Sequence, residues 1–278
     1  MSDRKPRLIL HIGMEKTGTS ALQRFFSRNR SVLPMFGVHY PRLGANGSSK
    51  AHKHSDLGAA LEHHRRTGAA HPIHGQPEEV LEKYLKNARA RRATILSTES
   101  LSVPDAVAAG LFVPHADQFD IRVVIYVRRQ DEWGLSTYRE RVVDRKTNEA
   151  RSFGDWLADP KTAAMMDYAA ILENWRKVIG KDAIRVLRYP YETPLLPAFL
   201  NAAGLSRALL ALPFHSKRVK ESVSGDVLLQ RLAENGGVAE PITFDQDARD
   251  ALMNQYRVCN RQICQIYRPE LSRLFGRN

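Results

Sequence analysis

Hydrophobic and polar positions along the 278 residues follow two rhythms. Short apolar runs rich in β-branched residues, RLILHIG at 7–13, GVHYP at 37–41, RATILSTE at 92–99, IRVVIYVRR at 121–129 and AIRVLRYP at 183–190, show no clean alternation. Runs of that kind suit strands buried on both faces, as in a parallel sheet covered by helices. Between them apolar residues return every three or four positions, which predicts helices at 19–29, 77–90, 104–110, 130–145 and 168–179. Strands and helices in this order predict an α/β fold with a central, mainly parallel sheet of about five strands and right-handed crossovers. After Pro190 the pattern turns helical, in LLPAFLNAAGL, SGDVLLQRLAEN and DQDARDALMNQYRVCNRQICQIYRPELSRLF. The expectation is a single domain over 1–278, with a sheet core at 7–190 and C-terminal helices at 191–278 packed on it.

One stretch breaks both rhythms. Residues 43–76 hold six of the ten histidines (His52, His54, His63, His64, His71 and His74) among Gly, Asn and Ser. They lack carboxylate or cysteine companions at metal-ligand spacing, so the stretch reads as a solvated excursion at the functional edge of the sheet and no metal is expected.

Composition is that of a globular chain, with 43% hydrophobic and 26% charged residues. The formal charge of +12 changes the picture, because it points to anionic company: phosphorylated or acidic small molecules, nucleic acid or an anionic membrane face. Basic residues are nevertheless scattered among acids and form no recognisable nucleic-acid module, so no specific nucleic acid is expected. No apolar run approaches the roughly 18 residues a membrane span needs, which leaves only peripheral membrane contact open. The opening MSDRKPRLILHIG is too briefly apolar for a signal peptide, and two cysteines five residues apart on a helical stretch suit neither a disulfide nor zinc. A reducing, cytoplasmic setting is the expectation.

The candidate chemistry lies in LILHIGMEKTGTSALQRFF, residues 8–26, where a strand stops at glycine and a helix begins after a knot of Lys, Thr, Gly and Ser. A helix starting there leaves its first N–H groups unpaired, with the positive end of its dipole facing the turn, and so offers an anion site. The order Gly13-Met14-Glu15-Lys16-Thr17-Gly18-Thr19-Ser20 places lysine before the second glycine, unlike the nucleoside-triphosphate loop G-x-x-x-x-G-K-[ST]. It also lacks the second glycine of the dinucleotide fingerprint.

K-T-G-T-S between a strand and a helix resembles the 5′-phosphosulfate loop of sulfotransferases that use 3′-phosphoadenosine 5′-phosphosulfate, and HIGMEKTGTSALQ is particularly similar to bacterial carbohydrate-type members. A second signature of that superfamily is an arginine ending a later strand and a serine eight residues on. VIYVRRQDEWGLSTY supplies Arg128 and Ser136 at that spacing. DYAAILENWRKVIGKDAIRVLRYPYE and KESVSGDVLLQRLAE extend the likeness, which spans about 7–275. The resemblance implies a P-loop-like three-layer fold and a donor site. In it Lys16, Thr17, Gly18, Thr19 and Ser20 hold the 5′-phosphate, and Arg128 and Ser136 hold the 3′-phosphate. Arg129 is either a further contact or a surface cation. The R-K-G motif of eukaryotic cytosolic members is absent, and Lys217, Arg218 and Lys220 are the candidates to replace it.

Sulfuryl transfer is an in-line displacement that needs positioning, charge neutralisation and a base for the acceptor proton. Lys16 is the expected electrostatic catalyst. Glu99, where a parallel strand ends in ILSTES, is the first candidate base; His54 in AHKHSDLGAAL, similar to a His-x-x-Leu element of the bacterial relatives, is the second. Glu15 is expected to turn from the phosphate and pair with a lysine or arginine. The enzyme so implied sulfates a hydroxyl or amine of a carbohydrate or small molecule. The alternatives are a nucleotide-dependent kinase of the P-loop class and a non-enzymatic basic anion- or nucleic-acid-binding protein. Segments 43–76 and 145–165, expected to shape the acceptor pocket, do not distinguish one acceptor from another by residue type, and the sequence carries no signal for oligomeric state.

Overall fold

The computed structural model describes residues 5–42, 52–189, 194–214, 224–242 and 244–275. Five strands form its sheet: β1 (Arg7–His11), β2 (Val38–His39), β3 (Ala93–Ser97), β4 (Asp120–Val127) and β5 (Ile184–Arg188). Their order is β2-β3-β1-β4-β5, and every pairing is parallel. Each apolar run of the sequence therefore yields a strand, as periodicity predicts. β1 is central, with β3 on one side and β4 on the other. The connection that leaves β1 runs to β2 on one side and the connection that leaves β4 runs to β5 on the other, so they diverge at the carboxyl ends of this adjacent pair, where α/β sheets of this type hold ligands.

The helices are α1 (Thr19–Arg28), α2 (Ser55–Thr67), α3 (Pro77–Leu85), α4 (Ala106–Gly110), α5 (Gln130–Val143), α6 (Phe153–Ala158), α7 (Pro160–Met166), α8 (Tyr168–Ile179), α9 (Leu195–Ala203), α10 (Gly225–Glu234), α11 (Gln246–Gln255), α12 (Arg257–Ile266) and α13 (Ser272–Phe275). Two departures from the sequence reading have clear causes. Residues 55–67, expected to be irregular, are helical, because Leu57, Ala60 and Leu61 bury one stripe while His63, His64, Arg65 and Arg66 mask the period. The long C-terminal apolar pattern breaks at Tyr256, which ends α11 and caps α12.

The chain divides into two compact units, Met1–Val127 with Ala170–Ser216 and Arg128–Ala169 with Lys217–Asn278. The first unit holds the sheet. On one face Ile9, Ile95, Val124 and Tyr126 pack with Leu22, Phe25 and Phe26 of α1 and Phe199 and Leu200 of α9. Side chains of that size each contribute about 1.5–3 kcal/mol on burial. The alternate residues Leu8, Leu10, Leu96, Val123 and Ile125 are fully buried as well, so both faces are covered. Trp175 of α8 packs on Phe112 and donates its indole N–H to Leu101 O at 3.2 Å.

The second unit is helical. Trp133 and Tyr138 of α5 pack with Phe153 and Trp156 of α6. Gln130 and Asn260 exchange amide hydrogen bonds of 2.7 and 3.2 Å in its interior, which ties α5 to α12 without an unsatisfied polar group.

Candidate active site

The turn from β1 to α1 is built inward. The hydroxyls of Thr17 and Thr19, both buried, donate to Met14 O at 2.6 and 3.0 Å, so they gather the loop around one carbonyl. Ser20 is exposed. Gly18 caps α1 at φ 80° and gives the helix no side-chain cap. The Ala21 N–H turns back to Gly18 O at 3.0 Å, and no side chain caps the N–H groups ahead of it, the arrangement in which a helix N-terminus takes an anion. Lys16 also lies in the left-handed region, at φ 63°. That conformation costs a non-glycine residue about 1–2 kcal/mol, and such strain gathers at ligand sites.

Glycine is required twice in this turn. A Cβ at Gly13 would lie 2.7 Å from both His11 Nε2 and Thr19 Oγ1. At Gly18 the positive φ is joined by close packing, with Leu195 Cδ2 2.9 Å from where a Cβ would stand.

Glu99 stands just past β3, in a short 3-10 turn. Its carboxylate is held at both oxygens: Gln23 Nε2 of α1 donates to Oε1 at 3.2 Å, and Lys53 Nζ donates to Oε2 at 2.9 Å. The Glu99 side chain is 17% exposed and Lys53 48%, so solvent screens this ion pair only in part. Burial pulls Lys53 down, but the charge and hydrogen bond of Glu99 and the charges of Glu15 and Glu62 outweigh it and raise its pKa.

Behind Glu99 lies a chain of buried polar groups. Gln23 Nε2 also donates to Ser97 Oγ at 3.2 Å, and Ser97 Oγ is 2.8 Å from His11 Nδ1. His11 and Ser97 are register neighbours on β1 and β3. Burial lowers the His11 pKa to about 4 against the opposing charge of Glu99, so the ring is neutral at pH 7. Its Nε2 is buried and has no hydrogen-bond partner among the described residues.

His54, the second candidate base, is 2% exposed. Ser97 N donates to His54 Nδ1 at 2.9 Å, and His54 Nε2 lies 3.1 Å from Pro41 O. With the proton on Nε2 both nitrogens are spent on backbone groups. Burial lowers this ring to about 4, although its backbone hydrogen bonds to Ser97 and Pro41 raise it.

Arg128 follows β4, and its Nε donates to Glu132 Oε2 at 3.2 Å, one turn on. Its carbonyl accepts from Tyr168 Oη at 2.8 Å, which fixes the backbone at this position. Ser136 lies in the second turn of α5, partly exposed. Arg129 is committed to an ion pair: it bonds both oxygens of buried Asp131 at 2.8 and 3.2 Å, and Arg249 reaches the same carboxylate at 3.1 Å. Lys217, Arg218 and Lys220 lie outside the described residues.

The rings of His63, His71 and His74 adjoin one another. Among the described residues, no three His, Cys, Asp or Glu side chains are grouped so as to hold a metal ion. The sequence reading missed His11, Ser97, Gln23 and Lys53 as neighbours of Glu99. Gln23 and His11 bracket the β1–α1 turn in HIGMEKTGTSALQ, and that placement was the available signal.

Among solved structures the chain is similar to a sulfotransferase from Alicyclobacillus acidocaldarius, with 17% identity, a TM-score of 0.51 and alignment over 83% of this chain and 92% of that one. It also aligns with a retinol dehydratase in complex with androsterone and inactive cofactor PAP, at 12% identity and TM-score 0.41, over 96% of this chain and 83% of that one. No protein-family model matches the sequence. No curated protein matches it either. The chain has the sulfotransferase fold: an α/β, P-loop-like arrangement with a parallel five-stranded sheet and further helices at the C-terminal end.

Proposed function

We propose that the chain is an enzyme, a sulfotransferase that moves a sulfuryl group from 3′-phosphoadenosine 5′-phosphosulfate to a hydroxyl or amine of a carbohydrate or small molecule, and that 1–278 works as one catalytic domain. The observation that carries this reading is the β1–α1 turn, in which a helix N-terminus with no side-chain cap and two left-handed residues, Lys16 and Gly18, form an anion cradle on a sulfotransferase fold. Left-handed Gly18 leaves the start of α1 without a side-chain cap, and Lys16 and the exposed Ser20 stand beside it, so these residues fit a bound phosphate.

The α1 N–H groups, Lys16 and the Ser20 hydroxyl would hold the donor's 5′-phosphate, with Thr17, Gly18 and Thr19 shaping the loop around it. Arg128 and Ser136 would hold the 3′-phosphate, a forked guanidinium and a hydroxyl being suited to a dianion. Bound there, the donor supplies the sulfuryl group and leaves as adenosine 3′,5′-bisphosphate. Lys16 meets the charge that grows on the leaving phosphate oxygen. Glu99 takes the proton of the acceptor hydroxyl as that oxygen bonds to sulfur. Its two oxygens each accept one hydrogen bond and retain a further lone pair for that proton. The enclosure of His54 favours Glu99 over it as the base.

A reducing cytoplasmic setting suits the two free thiols, Cys259 and Cys264. No described helix is long and apolar enough to cross a membrane.

Thermal unfolding with adenosine 3′,5′-bisphosphate, beside ATP and NAD, tests the donor class. At roughly 100-fold above its Kd the bisphosphate should stabilise the fold by about 2.7 kcal/mol. An unchanged melting temperature at millimolar bisphosphate would overturn the reading.

A further inference from the structure

Glu99 does not hold its own orientation. It sits past the end of β3 on a three-residue turn, and its side chain is met by Gln23 on α1. Gln23 is 3% exposed, and its amide nitrogen faces Ser97 Oγ and Glu99 Oε1, both at 3.2 Å. An amide nitrogen has two hydrogens, so each of these contacts takes one. The reverse placement of the amide would set its carbonyl oxygen against a carboxylate, which fixes the assignment. Ser97 is in turn tied to His11 Nδ1 at 2.8 Å, and both residues are 1% exposed. His11 ends β1, and its Nε2 lies against Gly13 of the phosphate loop, 2.7 Å from where a Cβ there would stand. A buried chain His11–Ser97–Gln23–Glu99 therefore starts beneath the loop and ends on a carboxylate.

We propose that Gln23, braced through Ser97 by His11, is the positioning residue that aims Glu99 at the acceptor. This rests on Glu99 being the base. Lys53 alone cannot do the aiming, because it grips only Oε2 and its side chain is half exposed on a flexible stem. Gln23 belongs to the helix whose N-terminus forms the phosphate cradle. One rigid element thus sets both the donor loop and the direction of the base, and misplacement of a reacting group by about 1 Å can cost on the order of 100-fold in rate.

The test is Gln23→Leu, with Gln23→Met as an unbranched second variant should the first fail to fold. Turnover should fall by roughly 10- to 100-fold with donor affinity and acceptor KM unchanged. In a Glu99→Gln background the same substitution should alter turnover by less than about twofold, since effects of residues that act as a unit do not multiply. His11→Asn, whose amide stands near the place of Nδ1, should retain more turnover than His11→Leu. A readout independent of turnover is the melting temperature without ligand: the double variant Gln23→Leu/Glu99→Gln should fall by less than the sum of the two single falls. Wild-type turnover in both Gln23 variants, or a loss of donor affinity that matches the loss of turnover, overturns the inference. Normal turnover in Glu99→Gln removes the base itself, and the melting-temperature cycle then still decides whether Gln23 orients that carboxylate.

Discussion

His54 and Ser97 are joined twice: the His54 backbone N–H donates to Ser97 O at 3.0 Å, and the Ser97 N–H donates to His54 Nδ1 at 2.9 Å. The imidazole thus serves as a backbone clamp between the end of β3 and the start of α2.

That clamp should be a stability element. His54→Ala leaves the Ser97 N–H and Pro41 carbonyl without the ring, and the expected cost is on the order of 3 kcal/mol. Urea unfolding measures it. Donor affinity of the folded variant should be unchanged. A His54→Ala protein of wild-type stability that has lost turnover would return the base to the histidine.

Stability should also depend on pH. His11 and His54 have folded pKa values of about 4, set chiefly by burial, against 6.5 unexposed to the fold. Between those values the unfolded chain binds more protons, so this contribution is complete above about pH 6.5 and is lost as pH falls toward 4. Each ring accounts for at most about 3 kcal/mol. In His54→Leu the slope of unfolding free energy against pH should be shallower by up to one proton across that window.

Lys16 and Glu99 should fail in different ways. Lys16→Ala should lower turnover by roughly two to three powers of ten, with some loss of donor affinity because the bound phosphate is already anionic. Glu99→Gln should leave donor affinity intact while turnover falls by roughly 10²–10⁴. Calorimetry of donor binding beside single-turnover sulfate transfer separates the two. Normal turnover in Lys16→Ala would remove the loop from the chemistry.

Arg128→Ala should weaken binding of adenosine 3′,5′-bisphosphate by about 1.5–3 kcal/mol and leave a ligand without the 3′-phosphate unaffected. Equal weakening of both ligands would make Arg128 a structural residue, its Glu132 pair being the reason.

Gly18→Ala should lose about 1–3 kcal/mol of stability or donor affinity, since alanine would have to accept φ 80° against Leu195. Melting temperature with and without the bisphosphate measures both effects.

The strands were legible because runs such as VVIYV, buried on two faces, have no polar residue to confuse the period. The turn between β1 and α1 was legible because Gly13, Lys16 and Gly18 act locally. α2 was hidden by its histidines and arginines, since its apolar stripe is only Leu57, Ala60 and Leu61. The contact of Gln23 with Glu99 joins residues 76 positions apart and exists only through the parallel register of β1 and β3. His54 reads as a titratable group in sequence, and only its three-dimensional surroundings turn it into a neutral clamp.

The central place of β1 also bears on how fast this chain reaches its native state. Arg7 pairs with Asp120 across 113 positions, and His11 meets Ser97 across 86. Loop-closure entropy has to be met before such distant contacts repay it, so high contact order slows the search. The turn into α1 follows β1 directly and takes its final form only once both neighbouring strands have docked. A newly made chain therefore acquires helices early and the native form of that turn late, and during that interval the unpaired rims of β1 are its point of vulnerability to aggregation.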